Sequence, residues 1–360
     1  MASKKESNLR QFYLKVYDKE HNILDNSINN LCSLKYKTVL NGQGSMEFSI
    51  PLDEYKCNNK LMFLGNHIEV YNLANELLWY GVIILRRFSG TVLSCSCVGY
   101  EWLLSGHIFK QDIIYYNKTY GNMINQMLSN INNNTHIGVS IGNIIDNSLE
   151  TTREINTGDD LKDKIDSYIE DSGYYYNVDS ESKLNVTYTT GEVKEYLKLE
   201  YDPNGYSNII ELPAVEENLE DIFNYVYAES SFEENEVKTI LISTQQDDES
   251  IALYGLREEK LSVNDIRVQD TLDYKVSHEL NSVKYPNVSL TIKCVDSALC
   301  PMDRVKKGDY ITVSLPTYFG FKGIIRVLEI ERDCKTNEYT LTMGTLTYRP
   351  AKPQVKKYKR

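Results

Sequence analysis

A faint internal repeat constrains this chain more than any other feature. Gly65-Asn66-His67-Ile68-Glu69-Val70 is echoed by Gly308-Asp309-Tyr310-Ile311-Thr312-Val313, so that Gly65, Ile68 and Val70 stand against Gly308, Ile311 and Val313. Gly81-Val82-Ile83-Ile84-Leu85 follows the first glycine at 16 positions, and Gly323-Ile324-Ile325-Arg326-Val327 follows the second at 15. Each copy then runs into an alternating segment, residues 92–100 and 339–347, carrying Gly99 and Gly344 respectively. Three landmarks in one order predict a small β-barrel or sandwich present twice. The period is far longer than the roughly 20 to 50 residues of stacked solenoid or propeller repeats, so two domains are expected and not an array. Two unrelated antiparallel meanders with turns at similar intervals would leave the same landmarks, and the sequence keeps both readings open.

A chain of 360 residues is long enough for two or three domains, each burying its own core. With 41% hydrophobic and 25% charged residues the composition is that of a globular protein. The net charge of -12 argues against a general grip on nucleic acid, which needs clustered Lys and Arg to displace counterions. Basic residues gather at the two ends, in Lys4-Lys5 and Lys356-Lys357-Tyr358-Lys359-Arg360, as solvated tails do. Tyrosine is abundant, 28 against 9 Phe and 2 Trp, a ring with a polar tip that suits sheets and partly wet interfaces. The 7 cysteines form no CxxC pair and no even framework, which predicts a reducing site of synthesis; Cys95 and Cys97 fall on one strand face, as core residues would. No apolar leader opens the chain. The longest apolar run, residues 77–85, predicts a buried strand and is too short for a membrane helix, which needs about 20 residues.

The first β region spans residues 12–107, with alternation over 12–18, 33–39 and 45–52 and a hairpin turn at Asn41-Gly42-Gln43-Gly44. The period then changes. Tyr120, Met123, Ile124, Met127 and Leu128 form a helical stripe, and so do Leu161, Ile165, Tyr168 and Ile169 behind an acidic entry at Asp159-Asp160. Strands are expected at 139–145, 174–178 and 184–188. From Tyr196 the β pattern returns, interrupted by a helix over about 263–283 on the steps Val268, Leu272, Val276, Leu280 and Val283. The expected organisation is therefore mainly β (α+β): an N-terminal barrel over 1–107, an inserted α+β domain over 108–190, a second barrel over 191–350 and a basic tail over 351–360. The acidic segment holding Glu216, Glu217, Glu220, Asp221, Glu229, Glu233, Glu234 and Glu236 reads as a solvated loop and strand edge, or as the anion-repelling wall of a lumen.

Catalytic chemistry has no signature here. The histidines at 21, 67, 107, 136 and 278 are scattered, with no HExxH, no Gly-x-Ser-x-Gly elbow and no P-loop. Asp159-Asp160 reads as a helix start and Asp247-Asp248-Glu249 as a polar loop. No catalytic, cofactor-binding or metal-ligating residue is expected; the residues that stand out are the structural landmarks of the repeat.

Several stretches together resemble a known family. Leu40-Asn41-Gly42-Gln43-Gly44-Ser45-Met46-Glu47-Phe48-Ser49-Ile50-Pro51-Leu52, then Gly65-Asn66-His67-Ile68-Glu69-Val70, Trp79-Tyr80-Gly81-Val82-Ile83 and Cys97-Val98-Gly99-Tyr100-Glu101-Trp102-Leu103-Leu104, are similar to the opening of tail hub proteins of long-tailed bacteriophages. Lys307-Gly308-Asp309-Tyr310-Ile311-Thr312-Val313, Arg326-Val327-Leu328-Glu329-Ile330 and Met343-Gly344-Thr345 are similar to that family's closing barrel. The resemblance implies two tail-tube-like barrels per chain and a homotrimer, whose six barrels continue a six-fold tube and meet a three-fold tip, spike or fibre protein. It implies a structural protein of the virion, at the tail tip or baseplate, made in the host cytoplasm. Its partners would be itself, the tail tube or distal tail protein, the tip, spike or fibre and the tape measure protein. DNA would pass during ejection without specific binding. A cell-wall hydrolase and a glycan-binding adhesin are the rivals. The first lacks a visible dyad. For the second, Trp79 and Trp102 both sit in apolar strand contexts, which predicts core packing over a sugar platform.

Overall fold

A computed structural model describes residues 8–344, apart from 136, 147–149, 203–204, 221, 235–236, 264–265 and 319. The basic tails and His136, Asp221 and Glu236 lie outside the described residues. The chain is mainly β, with large antiparallel sheets and four helices among the described residues.

The first β region contains β1 (Phe12–Tyr17), β2 (Ile23–Ile28), β3 (Ser33–Val39), β4 (Ser45–Pro51), β5 (His67–Asn72), β6 (Leu77–Ser89) and β7 (Val92–Val98). Period-two alternation drives them: Phe12, Leu14 and Val16 of β1 and Met46, Phe48 and Ile50 of β4 point inward. With Cys95, Cys97 and Trp79 they fill one core. β6 corrects the expectation of a fully buried strand. Only its middle is covered, while Ile84, Leu85 and Phe88 are exposed, because residues 85–89 pair with β7 alone. Trp102 corrects the other. It stands in a short 3-10 turn, Tyr100–Leu104, and is 41% exposed, since the turn directs Tyr100, Glu101 and Leu104 inward and leaves Trp102 outside.

The middle of the chain holds β8 (Ile113–Lys118), α1 (Tyr120–Asn134), β9 (Ser140–Ile144), β10 (Thr151–Ile155), α2 (Leu161–Ser172), β11 (Tyr175–Val178) and β12 (Lys183–Thr187). The Asp160 side chain caps α2 by accepting from Lys162 N at 2.9 Å, and Gly173 ends it in the left-handed region. The helical stripes face each other in a second core that also takes in Val82, Tyr100 and Leu104.

The remainder supplies β13 (Val193–Glu200), β14 (Val215–Asn218), β15 (Tyr225–Glu234), β16 (Val237–Gln246), α3 (Asp248–Tyr254), β17 (Glu258–Ser262), α4 (Gln269–Val283), β18 (Asn287–Val295), β19 (Tyr310–Leu315), β20 (Phe321–Asp333) and β21 (Glu338–Gly344). α4 begins at Gln269 and not near 263, because Val268 is extended; Val263 and Ile266 reach the same core from outside the helix. Asp247-Asp248-Glu249 is no loop. Asp247 accepts from Ser250 N at 2.9 Å and starts α3. The acidic segment is strand as well: β14 belongs to the main sheet, and β15 pairs with β16 and β17 over Val226, Ala228, Leu272 and Val276.

The main sheet runs in the order β14-β18-β21-β20-β3-β4-β7-β6-β5-β1-β2, with β19 and β13 branching from β20. β3 is its hinge point. It pairs antiparallel with β4 on one side and with the second half of β20 on the other, so one continuous ladder joins residues more than 290 positions apart.

Candidate functional site

The repeat landmarks occupy two similar turns. Gly65 and Gly308 both have φ +93°, a backbone that L side chains rarely adopt. Gly65 N–H donates to Ile83 O at 2.9 Å and Gly308 N–H to Val327 O at 2.8 Å. In return Ile83 N–H donates to Asn66 O at 3.0 Å and Val327 N–H to Asp309 O at 2.8 Å. Ile68 and Val70 in β5, and Ile311 and Val313 in β19, then point into their cores.

This pattern fixes the register and corrects two landmarks. Ile68 lies opposite Gly81 whereas Ile311 lies opposite Ile325, so the counterpart of Gly81 is Ile325 and not Gly323. Gly323 occupies the position of Trp79. The reason is a swap of volume between positions two apart on one face. A Cβ on Gly81 would lie 2.4 Å from the Trp79 ring and 2.0 Å from Val98 O, while the space over Gly323 is bordered by Ile325 at 3.6 Å. Beyond the turns both long strands bulge at the same place, between Ile83 and Leu85 opposite Cys97 and Ser96, and between Val327 and Glu329 opposite Met343 and Thr342. Gly344 therefore matches Val98, and the counterpart of Gly99 falls at residue 345, outside the described residues.

The seam between β3 and β20 brings the two regions together. Lys37 lies opposite Glu331 and Tyr36 opposite Arg332. Lys37 Nζ sits 3.2 Å from Glu329 and Lys35 Nζ 2.8 Å from Glu331, and Leu40 N–H closes the end on Leu328 O at 2.9 Å. Beside the seam, Lys307 Nζ donates to Val39 O at 2.9 Å and faces the buried Glu101. Burial pushes the Glu101 carboxyl up, against the pull of Lys307, and burial of its ammonium end pushes Lys307 down. Sequence reasoning did not single out these residues. The alternation Lys35-x-Lys37 against Glu329-x-Glu331 was the signal that could have found them.

The polar chemistry near the turns is structural. In the second region Asp309 accepts from Lys194 Nζ at 2.8 Å and from Lys306 N at 2.7 Å, and the Arg326 guanidinium reaches Gly308 O, Thr190 O and Tyr175 Oη. In the first, His67 Nδ1 is 2.9 Å from Tyr100 Oη, and burial, aided by His21, lowers its pKa to about 4. His21 Nε2 also lies 3.2 Å from Ser182 Oγ, a pairing that a serine hydrolase would need. Ser182, however, is 4% exposed in the tight Asp179–Lys183 turn, and the Asp18 carboxylate is engaged by the N–H groups of Glu20 and Asn22. Burial pushes Cys95, Cys294, Cys300 and Cys334 up to about 12 and Cys97 well above its ordinary value, so these thiols are poor nucleophiles. Among the described residues no three His, Cys, Asp or Glu side chains gather as a metal site would, and no helix is long and apolar enough to cross a membrane.

A model of the family described as prophage endopeptidase tail matches residues 66–349. Among solved structures, the chain is similar to the prophage tail protein gp18 of Listeria monocytogenes, at 14% identity over 94% of this chain and 95% of that one, with a TM-score of 0.68. It is similar to a tail protein of Neisseria meningitidis at 12% identity, over 92% and 96% of the two chains, with a TM-score of 0.66. The 43 kDa tail protein of prophage MuSo2 from Shewanella oneidensis gives 10% identity over 93% and 97%, with a TM-score of 0.60. No curated protein matches.

Proposed function

We propose that this chain, which belongs to the prophage endopeptidase tail family, is a structural protein of the phage tail or baseplate, a virion component, and within that assembly the hub. The observation that carries the proposal is the repeated backbone pattern: one glycine turn, one strand pair and one bulge, each occurring twice and joined side by side through β3 and β20. On this reading the chain holds two tube-like β-barrels, one within residues 1–107 and one within 191–350. The α+β unit over 108–190 and the β15–β17 unit with α4 stand at the periphery. Three chains would then present six such units to a six-fold tube on one face and a three-fold surface to a tip, spike or fibre on the other. The tube or distal tail protein and the tape measure protein are the further partners. The channel would carry DNA past acidic walls without holding it. Seven unpaired cysteines suit assembly in the reducing host cytoplasm.

The test is the mass and symmetry of the purified protein. Light scattering should give about 125 kDa, three times the 41.5 kDa of one chain, and averaged negative-stain images should show six lobes around a hole. A stable monomer that does not assemble as its concentration is raised would sink the hub.

A peptidase is the second reading, favoured by the family's description and by the His21–Ser182 contact. We propose instead a purely structural role, because the pair lacks an aligned carboxylate and an open serine. The assembled protein should leave cross-linked peptidoglycan and peptide substrates intact; cleavage lost on Ser182→Ala would reverse that assignment.

A further inference from the structure

The seam inside one chain has an unfilled counterpart at the chain's outer edges. Across the first region the rows of the sheet read Tyr36 opposite Met46, Met46 opposite Cys97 and Cys97 opposite Ile83. Across the second they read Val215 opposite Leu290, Leu290 opposite Met343 and Met343 opposite Val327. β14 thus stands where β3 stands, and residues 85–89 of β6 stand where the β3-binding half of β20 stands. Within the chain, β3 meets β20. Neither β14 nor residues 85–89 has a second ladder partner among the described residues: β14 pairs with β18 alone, and residues 85–89 pair with β7 alone. They lie on opposite sides of the seam and are not paired with each other within the chain.

We propose that β14 of one copy pairs antiparallel with residues 85–89 of a second copy of this chain, with Val215 opposite Phe88 and Glu216 opposite Arg87. The register follows from the intrachain seam, where Tyr36 meets Arg332 and Lys37 meets Glu331. Carried across, Tyr36 becomes Val215, Lys37 becomes Glu216, Arg332 becomes Phe88 and Glu331 becomes Arg87. The single bulge in each long strand keeps the count in step. The chemistry of the pair is preserved with its signs exchanged. Lysine against glutamate inside the chain becomes glutamate against arginine between chains. Around them sit apolar side chains with nothing to cover them: Phe88 is 64% exposed and Leu85 45%. The Leu40 to Leu328 bond that closes the inner seam has Leu219 and Ile84 as counterparts, 43% and 40% exposed. Open strand edges invite this kind of pairing, and a charge exchanged at the matching position selects the outer edge over the inner one. The contact is head-to-tail, so it builds a ring if its rotation closes and a filament if it does not. Closure at three chains rests on the hub reading above; the pairing itself does not.

The experiment is disulfide trapping on the full chain. Phe88→Cys with Val215→Cys is oxidised beside an out-of-register control, Phe88→Cys with Leu219→Cys, and both are resolved without reductant. The expected result is a covalent ladder for the first pair, ending at three chains, and little product for the control. A second measurement guards against misfolding: Arg87→Glu and Glu216→Arg should each lower the assembled fraction at least tenfold, and the two changes combined in one chain should recover it. A ladder continuing past three chains would keep the pairing and overturn the three-chain hub. A three-fold ring in images with no specific cross-link, and no response to charge reversal, would keep the ring and overturn this pairing.

Discussion

At the residue scale the two β regions show how one backbone accepts two packings. Trp79 with Gly81 and Gly323 with Ile325 place a large side chain and a glycine at adjacent positions of one face, in opposite order. The spaces over the two glycines differ accordingly. A methyl on Gly81 would press into backbone, whereas Gly323 offers ordinary contact distances. Gly81→Ala should therefore destabilise the protein by roughly 3 kcal/mol or more, and Gly323→Ala should stay within about 0.5 kcal/mol of the parent. Chemical denaturation compares the two directly, and equal effects would refute the swap. His67 supplies a second residue-scale prediction. Its folded pKa lies near 4 against about 6.5 unfolded, because burial beside Tyr100 and His21 favours the neutral ring. The group's contribution is fully present above the unfolded value and is lost as pH falls from about 6.5 toward 4, on the order of 3 kcal/mol in all. His67→Asn should flatten that limb of the stability curve measured by thermal unfolding; an unchanged slope would assign the acid sensitivity to other groups.

At the scale of elements, capping and alternation decide which segments form. Asp160 both caps α2 and accepts Gly106 N–H at 2.8 Å, tying the helix to the end of the first β region. Asp160→Ala should cost about 1 to 2 kcal/mol, and Asp160→Asn less, read as a loss of thermal midpoint. No difference between the two variants would deny the cap its role. The elements legible in the sequence were those with one clean period. β1, β3 and β4 alternate against a single core, and α1 and α2 carry stripes wide enough to fix their phase. Three things were not legible. Register was lost because the glycines used to align the repeat had moved within the volume swap, so residue identity shifted by two positions while the backbone bonds did not. The β15–β16 hairpin was hidden by its acidic outer face, with Glu229 beside Tyr227 outside and Val226 and Ala228 inside. α3, at seven residues, is too short to show a period and is announced only by Asp247. The candidate site was half visible. The glycine turns stood out, while the seam was a matter of which strands meet, and alternating Lys and Glu at distant positions name no partner until the topology is known.

At the scale of the whole molecule the sheet carries the argument from fold to assembly. One continuous ladder runs through both β regions, so the relation between them is fixed by backbone hydrogen bonds and two ion pairs and not by a flexible linker. A rigid double unit suits a ring, because each chain then contributes a set angle to closure. The charge of the chain bears on what such a ring could hold. On the hub reading, the net charge of -12 per chain sums in the ring, so phosphate approaching its channel would meet overall repulsion. The assembled protein should therefore retain no duplex DNA in filter binding even at about 20 mM salt, where nonspecific phosphate binding is strongest. Retention that falls steeply as salt rises would reveal a basic track on the assembled surface. In that case the channel would act by holding DNA, and passage without a bound state would have to be abandoned.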